Sequence, residues 1–214
     1  MKAGYKMSLG KFIVVEGMEG AGKSSAITII EDVLSSNDIN FINTREPGGT
    51  PLAESLRDIV KSAGHQEELT DETELFLMYA SRSQLLRNRI TPALNAGQWV
   101  IGDRHDLSSR AYQGGGRGLN DKIINTIAEI TLKGFKPDLT LYLDISPKVG
   151  LSRARARGEL DRIEQEKFDF FERVHDKYCQ LASIDDDIIT IDAEQSMGKV
   201  HQDIRTALNS FLKA

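Results

Sequence analysis

An eight-residue segment near the start of the chain has the composition of a phosphate-binding loop. Residues 17–24 read GMEGAGKS, which fits the pattern G-x-x-x-x-G-K-[ST], with an apolar run before them and a helical pattern after them. Glycines let backbone N–H groups approach a phosphate closely, Lys23 adds a positive charge, and Ser24 offers a hydroxyl ligand for Mg²⁺. The sequence therefore predicts a site for ATP or GTP formed by Gly17, Met18, Glu19, Gly20, Ala21, Gly22, Lys23 and Ser24.

Other interpretations of this loop have less support. A dinucleotide-binding fingerprint needs a third glycine where Ser25 stands. A plain glycine turn, or a degenerate loop that binds nucleotide without turnover, remains as an alternative. A GTPase would also carry an [NT]-K-x-D segment that reads guanine, and the sequence contains none. A guanine-dependent switch is therefore disfavoured.

A second set of cationic side chains follows downstream. Arg45 comes directly after the second apolar run, Arg104 lies in the segment Asp103-Arg104-His105 after the third, and Arg82 lies in a long helical pattern. Phosphoryl transfer between two nucleotides needs cations on both phosphates, because placement and charge stabilise the transition state more than covalent chemistry does. Two such clamps at one sheet edge indicate a kinase of nucleoside monophosphates.

These residues need a scaffold, and the hydrophobic pattern predicts an α/β fold with an open five-stranded parallel sheet flanked by helices on both faces. The expected strands are 11–16, 40–44, 99–103, 139–144 and 188–191. The expected helices are 23–35, 51–63, 71–96, 119–132, 147–157, 161–184 and 196–212. Ligands of such a sheet gather at the carboxyl ends of its strands.

The remaining segments are expected to be an extension and loops. Residues 1–10 are expected to form an N-terminal extension, with Met7 as an alternative start, and residues 11–214 a single domain. The glycine-rich run 114–118 interrupts the helical pattern. We expect it to form either a mobile flap over the second substrate or a loose turn.

Composition limits the classes of function. The 214 residues carry 27 Lys and Arg against 32 Asp and Glu, a net charge of −5, so no overall positive field favours nucleic acid or an anionic membrane. The apolar runs are too short to span a membrane, and residues 1–11 lack the apolar centre of a signal peptide, so we expect a cytoplasmic protein. Cys179 has no disulfide partner, and the four histidines stand apart, which predicts no zinc site.

Taken together, these motifs resemble the thymidylate kinases, in particular the bacterial branch, over nearly the whole chain. The resemblance is carried by the acidic loop residue Glu19 and by the segments 45–51 (REPGGTP), 103–114 (DRHDLSSRAYQG), 143–147 (LDISP) and an arginine-rich lid at about 150–162. It implies a P-loop NTPase fold, a homodimer, and phosphoryl transfer from ATP to dTMP with Mg²⁺. A kinase for another pyrimidine monophosphate such as dUMP, or a non-catalytic nucleotide-binding regulator, is the alternative.

The resemblance also implies roles for individual residues. Glu19 would accept a hydrogen bond from the 3′-hydroxyl of dTMP, Arg45 would clamp the dTMP phosphate, and Arg104 would bridge toward the transferred phosphoryl group. Arginine suits both roles because its planar fork meets two phosphate oxygens. Asp103 would help to hold the Mg²⁺ shell with Ser24, partly through water. The alternatives are a solvated acid at Glu19 and a helix N-cap at Asp103.

The family pattern implies that thymine is contacted by three polar residues, Arg82, Ser109 and Gln113, and that Tyr112 lies against the deoxyribose and disfavours a 2′-hydroxyl. One position departs from the pattern, since Met78 stands where many members have an aromatic residue that stacks on thymine. Phe76 lies about 240° around a helix from Arg82, whereas Met78 shares the face of Arg82. We expect Met78 to pack on the base with looser selectivity. Core packing is the alternative for Tyr112 and Met78.

The lid is expected to supply a charge that the loop lacks. Many relatives carry an arginine after the acidic loop residue, where this chain has Gly20. Arg153 and Arg157 are four residues apart on one helical face, so Arg153 is expected to act in catalysis and Arg157 to contact ATP. Arg155 and Arg162 are further candidates, and a solvated basic helix end is the alternative.

Overall fold

Five apolar segments form one parallel sheet in the computed structural model, which describes residues 9–156, 158 and 161–213. The strands are β1 (Phe12–Glu16), β2 (Phe41–Arg45), β3 (Trp99–Asp103), β4 (Leu139–Asp144) and β5 (Ile188–Asp192). Their order is β2-β3-β1-β4-β5, and each neighbouring pair is parallel. The predicted five-stranded sheet is confirmed.

Helices connect the strands, and signals in the sequence set several of their boundaries. Thr50 and Thr70 each accept a hydrogen bond from a backbone N–H of the first helical turn, at the start of α2 and α3 respectively. The helices are α1 (Lys23–Ser36), α2 (Pro51–Lys61), α3 (Asp71–Leu85), α4 (Thr91–Asn95), α5 (Asp106–Ser109), α6 (Asp121–Leu132), α7 (Pro147–Arg155), α8 (Phe168–Ala182) and α9 (Met197–Lys213), with π-helical segments at Leu86–Ile90 and Arg110–Gly116. None of the helices in the described ranges is long and apolar enough to cross a membrane.

The core lies on both faces of β1, which is buried along its whole length. Ile13 and Val15 point into a cluster that includes α1, α8 and α9, whereas Phe12 and Val14 point into a cluster with the end of α3 and the following segment. This alternation follows from the two-residue period of a strand. A strand buried on both faces reads as a continuous apolar run, which is why β1 was visible in the sequence.

Strand register brings the ends of three strands to one edge. Arg45 of β2 and Val15 of β1 both pair with Asp103 of β3, and Glu16 follows Val15 directly. The loops after β1, β2 and β3 therefore begin side by side. This edge carries the phosphate-binding loop.

Two predicted helices differ from the structure. The helix expected over 71–96 is helical as far as Asn95, but Leu86–Ile90 widens into a π-helical turn ahead of Pro92. A proline within a helix removes one hydrogen bond and crowds the preceding turn, and a wider turn relieves both effects. The helix expected over 161–184 begins only at Phe168, because the Asp161 carboxylate accepts the N–H groups of Ile163 and Glu164 and holds a turn there.

The first three residues of the glycine-rich run form neither a flap nor a loose turn. Gly114 to Gly116 belong to the π-helical segment Arg110–Gly116, which packs against α8. A Cβ atom at Gly115 would lie 2.7 Å from the carbonyl oxygen of Arg173, so glycine permits this close approach. The prediction failed because glycines usually interrupt helices, whereas here they fit helix against helix.

Candidate active site

The phosphate-binding loop lies between β1 and α1, as its pattern predicted. Lys23 is the first residue of α1, and its Nζ donates to the carbonyl oxygens of Gly17 and Met18, each at 3.0 Å. Gly22 has a left-handed backbone with φ of 93°. Burial and the neighbouring Arg104 guanidinium lower the pKa of the Lys23 ammonium to about 8. A phosphate at this position would counteract both effects.

Gly20 is required by the packing of the loop against α7. Its φ is 75°, and a Cβ atom there would meet the backbone of Gly150. In turn, a Cβ atom at Gly150 would lie 2.6 Å from the carbonyl oxygen of Glu19. In this arrangement the loop has no room for an arginine at position 20.

Glu19 forms the centre of a charged cluster opposite Lys23. Its two carboxylate oxygens accept from Arg104 Nη2 at 2.7 Å and from the Tyr112 hydroxyl at 2.6 Å. The Arg104 guanidinium also lies 5.0 Å from the centre of the Tyr112 ring. Burial acts to raise the pKa of Glu19, but the charges of Arg104 and Lys23 outweigh burial and lower it. Glu19 is therefore an ionised hydrogen-bond acceptor at neutral pH.

A buried network holds Arg104 in place. Arg104 follows β3 with a left-handed φ of 71°, an uncommon conformation for a residue with a side chain. Its Nη1 donates to Ser108 Oγ at 3.1 Å, and the Ser108 hydroxyl donates to Glu16 Oε2 at 2.6 Å. The Tyr178 hydroxyl also donates to Glu16, at 3.0 Å. Burial raises the pKa of Glu16, and these hydrogen bonds compensate for it in part.

Six predicted site residues line a single cavity of about 190 Å³: Glu19, Lys23, Met78, Asp103, Arg104 and Tyr112. Met78 is 7% exposed and faces this cavity, whereas Phe76 is 56% exposed on another face of α3. Met78 therefore lies on the cavity side of α3 and Phe76 does not, while the packing of Met78 on a base stays a prediction. Tyr112 is 4% exposed, yet its hydroxyl reaches Glu19.

The three predicted thymine contacts, Arg82, Ser109 and Gln113, are buried, and none of them is among the described residues that line this cavity. Arg82 donates to Glu46 at 2.7 Å, and to the His105 carbonyl and Ser109 Oγ at 2.9 Å each. Gln113 Nε2 donates to Glu74 Oε1 at 2.7 Å. Arg82 Nη1 and Gln113 Oε1 are buried and have no hydrogen-bond partner within the described part of the chain. Arg82 Nη1 has a long ion-pair contact with Asp106 Oδ1 at 3.6 Å, so one donor group and one acceptor atom are left without a hydrogen bond.

Arg45 faces a neighbouring opening. It ends β2 and donates to Glu54 at 2.9 Å, with 54% of its side chain exposed. It shares that opening with Asp103, which also lines the first cavity. Arg57, rather than Arg45, lines the first cavity together with Glu46 and Pro47. Arg57 was not predicted as a site residue. The only feature of the sequence that could have indicated Arg57 is its place as a cationic residue on the helix after the REPGGTP segment.

Two oxygen ligands beside the loop fit a hard divalent cation. Asp103 Oδ1 is buried, and no described residue offers it a hydrogen bond. Ser24 is exposed at the second position of α1. Carboxylate and hydroxyl oxygens are the donors that Mg²⁺ prefers, and an unpaired buried carboxylate oxygen is costly without such a partner. The residues present therefore fit the predicted metal.

The arginines of the predicted lid contact different parts of the structure. Arg153 Nη1 donates to the Ala193 carbonyl at 3.0 Å, which places this side chain against the loop after β5. Arg157 lies outside the described residues, and Arg155 is exposed. Arg162 instead contacts Glu74 and donates to the Val60 carbonyl at 2.8 Å.

Residues at and just after the end of the predicted lid form one wall of the cavity. Asp161 pairs with Lys61 of α2 at 2.7 Å, and Asp161, Ile163 and Glu164 line the cavity. Buried Glu74 accepts from Gln113, Arg117 and Arg162, which ties the lid to α3. Glu16, Glu46 and Glu74 were not predicted, because a buried acid is recognised only by partners that are distant in sequence.

Known proteins are similar to this chain in sequence over nearly its full length. The thymidylate kinase family model matches residues 15–204. Thymidylate kinase of Colwellia psychrerythraea is 72% identical over 206 residues, which cover 96% of this chain and 97% of that protein. The thymidylate kinase of Pseudoalteromonas translucida is 60% identical over 94% of this chain and 96% of its own length, and that of Vibrio campbellii is 56% identical over 97% and 100%. The chain belongs to the thymidylate kinase family.

Proposed function

We propose that this enzyme transfers the γ-phosphoryl group of ATP to dTMP, giving ADP and dTDP, and that the cavity between Lys23 and Arg104 is where the two nucleotides meet. The observation that carries the proposal is the convergence of Lys23, from the loop after β1, and Arg104, from the loop after β3, on one cavity. Two cations from different loops can neutralise two phosphates placed end to end.

The loop 17–24 binds the phosphates of ATP in this proposal. Lys23 would exchange its contacts with the Gly17 and Met18 carbonyls for phosphate oxygens. Ser24 and Asp103 would hold Mg²⁺, partly through water. Bound Mg²⁺ would supply positive charge that neutralises phosphate oxygens during transfer. Lys23 and Arg104 would hold the reacting phosphates in line, and the lid wall would keep water from the transferred group.

The dTMP side is formed by Glu19, Tyr112 and Arg104. Glu19 is an ionised acceptor whose two oxygens now face Arg104 and Tyr112. A carboxylate oxygen offers more than one lone pair, so a sugar 3′-hydroxyl can donate to Glu19 while Tyr112 stays in place. The Tyr112 ring then lies where it leaves little room for a 2′-hydroxyl. Arg45 and Arg57, on the two sides of Asp103, are the candidates for the dTMP phosphate.

Thymine recognition has support from two buried atoms. Thymine presents carbonyl oxygens, which accept hydrogen bonds, and an imide N–H, which donates one. Arg82 Nη1 is an unused donor group and Gln113 Oε1 an unused acceptor within the described residues. We assign the carbonyl to Arg82 and the imide to Gln113, with Ser109 holding Arg82 and Met78 packing on the ring. None of these groups distinguishes dTMP from dUMP by charge.

Arg153 and Arg157 retain their proposed roles as lid cations for ATP. Arg153 would have to release the Ala193 carbonyl to reach a phosphate. The requirement for a lid cation follows from Gly20, since the loop has no room for an arginine there. Comparing Arg153→Ala with Arg157→Ala for the rise in the KM for ATP identifies which of the two supplies the charge.

We also propose a homodimer that works in the cytoplasm. The supporting surface is a groove of about 640 Å³ whose apolar wall includes Leu132, Phe135, Leu181 and Ile184. On the neighbouring helix α6, Ile123 and Ile130 are exposed. A second copy of the chain would cover this apolar surface. A reducing compartment fits the unpaired Cys179.

The reaction is tested by mixing the protein with Mg·ATP and each nucleoside monophosphate in turn and by following ADP release. Turnover with dTMP that exceeds turnover with dUMP and with no acceptor supports the proposal. A preference for dUMP would assign the enzyme to another pyrimidine monophosphate. ADP release that stays at background with every acceptor would leave only a non-catalytic nucleotide-binding regulator.

A further inference from the structure

Three potential metal-binding side chains lie together away from the phosphate-binding loop. Asp144 ends β4, and His175 and Cys179 are four residues apart on one face of α8. His175 Nε2 lies 2.9 Å from Asp144 Oδ1 and 3.6 Å from Cys179 Sγ, and Cys179 Sγ lies 3.9 Å from Asp144 Oδ1. All three residues are partly buried. One carboxylate oxygen, one imidazole nitrogen and one sulfur therefore form a small triangle.

The arrangement differs from a thiol–imidazole–carboxylate catalytic relay. In a relay, the acid and the nucleophile contact different nitrogens of the histidine ring. Here Asp144 and Cys179 both face Nε2, and the acid on the Nδ1 side, Asp176, is exposed and lies 3.8 Å away, beyond hydrogen-bond distance. A single ring nitrogen cannot pass a proton between two groups on the same side. The three atoms are instead arranged around a common point.

The size of the triangle matches the coordination shell of a zinc ion. Tetrahedral Zn²⁺ has ligands at about 2.0 Å for nitrogen and oxygen and about 2.3 Å for sulfur, which places nitrogen and oxygen roughly 3.3 Å apart and the sulfur roughly 3.5 Å from each of them. The observed separations of 2.9, 3.6 and 3.9 Å bracket these values. The ligand atoms would move by only a few tenths of an ångström to receive an ion.

We propose that Asp144, His175 and Cys179 bind one zinc-like divalent cation, with water as the fourth ligand. Thiolate and imidazole donors favour zinc over Mg²⁺, which prefers oxygen. The side chains of His175 and Asp144 are 24% and 35% exposed, which leaves an opening for the ion and for water. Binding replaces the thiol proton of Cys179, which passes to the buffer.

The surroundings of the triangle suit a cation. Asp176 lies 3.8 Å from Nδ1, the other ring nitrogen of His175, on the side from which a carboxylate commonly orients a metal-binding histidine. Tyr142 Oη donates to Asp144 Oδ1 at 3.0 Å and orients this carboxylate. Sequence spacing predicted no zinc site, because Asp144 is distant from the helix in sequence and joins it only through the fold.

An ion here would connect β4 to α8 without entering the nucleotide cavity. None of the three ligands is among the described residues that line the cavity between Lys23 and Arg104. The expected consequence is stabilisation of the folded chain, since an ion that binds only the native state shifts the unfolding equilibrium. Kinase activity without added zinc should not depend on this site.

The test uses chelator-treated full-length protein titrated with Zn²⁺ by calorimetry and with Co²⁺ by absorption spectroscopy. We expect one Zn²⁺ per chain, a raised thermal midpoint, and a thiolate-to-cobalt charge-transfer band. Replacing even an outer-shell partner weakens metal sites about 10- to 100-fold, so Cys179→Ser and His175→Gln should each weaken binding by about 100-fold or more. His65→Gln, at an exposed and distant histidine, is the matched control.

Activity distinguishes loss of the site from loss of the fold. Cys179→Ser should retain turnover with Mg·ATP and dTMP in the absence of zinc, which shows that it is folded. Saturable Zn²⁺ binding that Cys179→Ser leaves unchanged would overturn the proposal, as would the absence of saturable binding to the wild-type chain. Binding without a cobalt–thiolate band would also overturn it, because Cys179 would not be a ligand.

Discussion

At the scale of single residues, Glu19 has a role distinct from that of the rest of its loop. The surrounding backbone is shaped for anions, yet Glu19 is held ionised by Arg104 and Lys23 and hydrogen-bonded to Tyr112. A fixed negative charge in a phosphate-binding loop repels phosphate unless it points elsewhere. Glu19 points at Arg104 and Tyr112, on the side we assign to dTMP.

Replacing Glu19 by glutamine tests this assignment. Glu19→Gln keeps the size of the side chain but removes the charge-assisted hydrogen bond to the sugar, worth about 1.5–3 kcal/mol. We expect kcat/KM for dTMP to fall roughly 10- to 100-fold and the KM for ATP to change little. Steady-state kinetics with each substrate varied in turn measure both effects. Glu67→Gln, at an exposed loop residue, is the control, and equal damage to ATP and dTMP use would contradict the assignment.

Lys23 gives a pH-dependent prediction. Its pKa is about 8 in the free enzyme, so at pH 8 about half of the molecules carry a neutral Lys23. ATP phosphates favour the charged ammonium and raise this pKa, so ATP binding takes up protons. We expect uptake of up to about half a proton at pH 8 and much less at pH 6, where Lys23 is already charged.

Calorimetry in buffers of different ionisation enthalpy measures this proton uptake. Lys23→Arg is the matched control, because arginine stays charged at both pH values. Its uptake at pH 8 should fall toward the value of the wild type at pH 6. Equal uptake by wild type and Lys23→Arg at pH 8 would show that another group takes up the proton.

At the scale of secondary structure elements, glycines determine how closely α8 approaches the site. The segment Arg110–Gly116 carries Tyr112 and Gln113, and it reaches α8 through Gly115 and Gly116. Tyr178 of α8 in turn contacts Glu16 and Ser108, the network that holds Arg104. Close packing here therefore positions the residues that we assign to dTMP.

Adding one methyl group tests this contact. In Gly115→Ala, the new Cβ would lie 2.7 Å from the Arg173 carbonyl oxygen, so the helices must move apart. We expect a loss of about 1–3 kcal/mol in the free energy of unfolding, measured by urea denaturation. Gly198→Ala is the control, since nothing lies within 4 Å of its Cβ, and alanine favours a helix by up to about 1 kcal/mol. Equal stability of the two variants would refute the packing argument.

The elements also show what a sequence can and cannot reveal. Four of the five strands were predictable because each is a short apolar run between helical patterns, whereas β2 (FINTR) is apolar only in its first two residues. The face of Met78 was predictable from helical period alone. The helical segments over 106–116 were missed because glycines argue against helix until the partner surface of α8 is known.

Buried charges could not be predicted for a related reason. Glu46 contacts Arg82 and His105, and Glu74 contacts Arg117 and Arg162, across tens of residues of sequence. Nothing local to an acidic residue reveals whether it is solvated or buried. Asp144, His175 and Cys179 were overlooked for the same reason.

At the scale of the whole molecule, the apolar groove beside α6 leads to a prediction about assembly. Ile130 is 68% exposed on α6 and lines a second opening together with Leu132 and Phe135, which also line the groove. A charge at the centre of an apolar interface is costly to bury. We expect light scattering after size exclusion to report a dimer for the wild type and a monomer for Ile130→Asp.

Met197→Asp provides the control for this experiment. Met197 is 69% exposed at the start of α9, a helix that packs with α1 in a different cluster from α6. This variant should remain dimeric. A wild-type chain that is monomeric, or a dimer that tolerates Ile130→Asp as well as Met197→Asp, would place the interface elsewhere.

The central claim is that the phosphates of two bound nucleotides face each other in the cavity between Lys23 and Arg104. A single ligand in which adenosine and thymidine are joined at their 5′ positions by five phosphates tests it directly in a calorimetric titration. We expect one ligand per chain, competition with both ATP and dTMP, and strong weakening by either Lys23→Ala or Arg104→Ala. Competition with only one of the two nucleotides would contradict the claim.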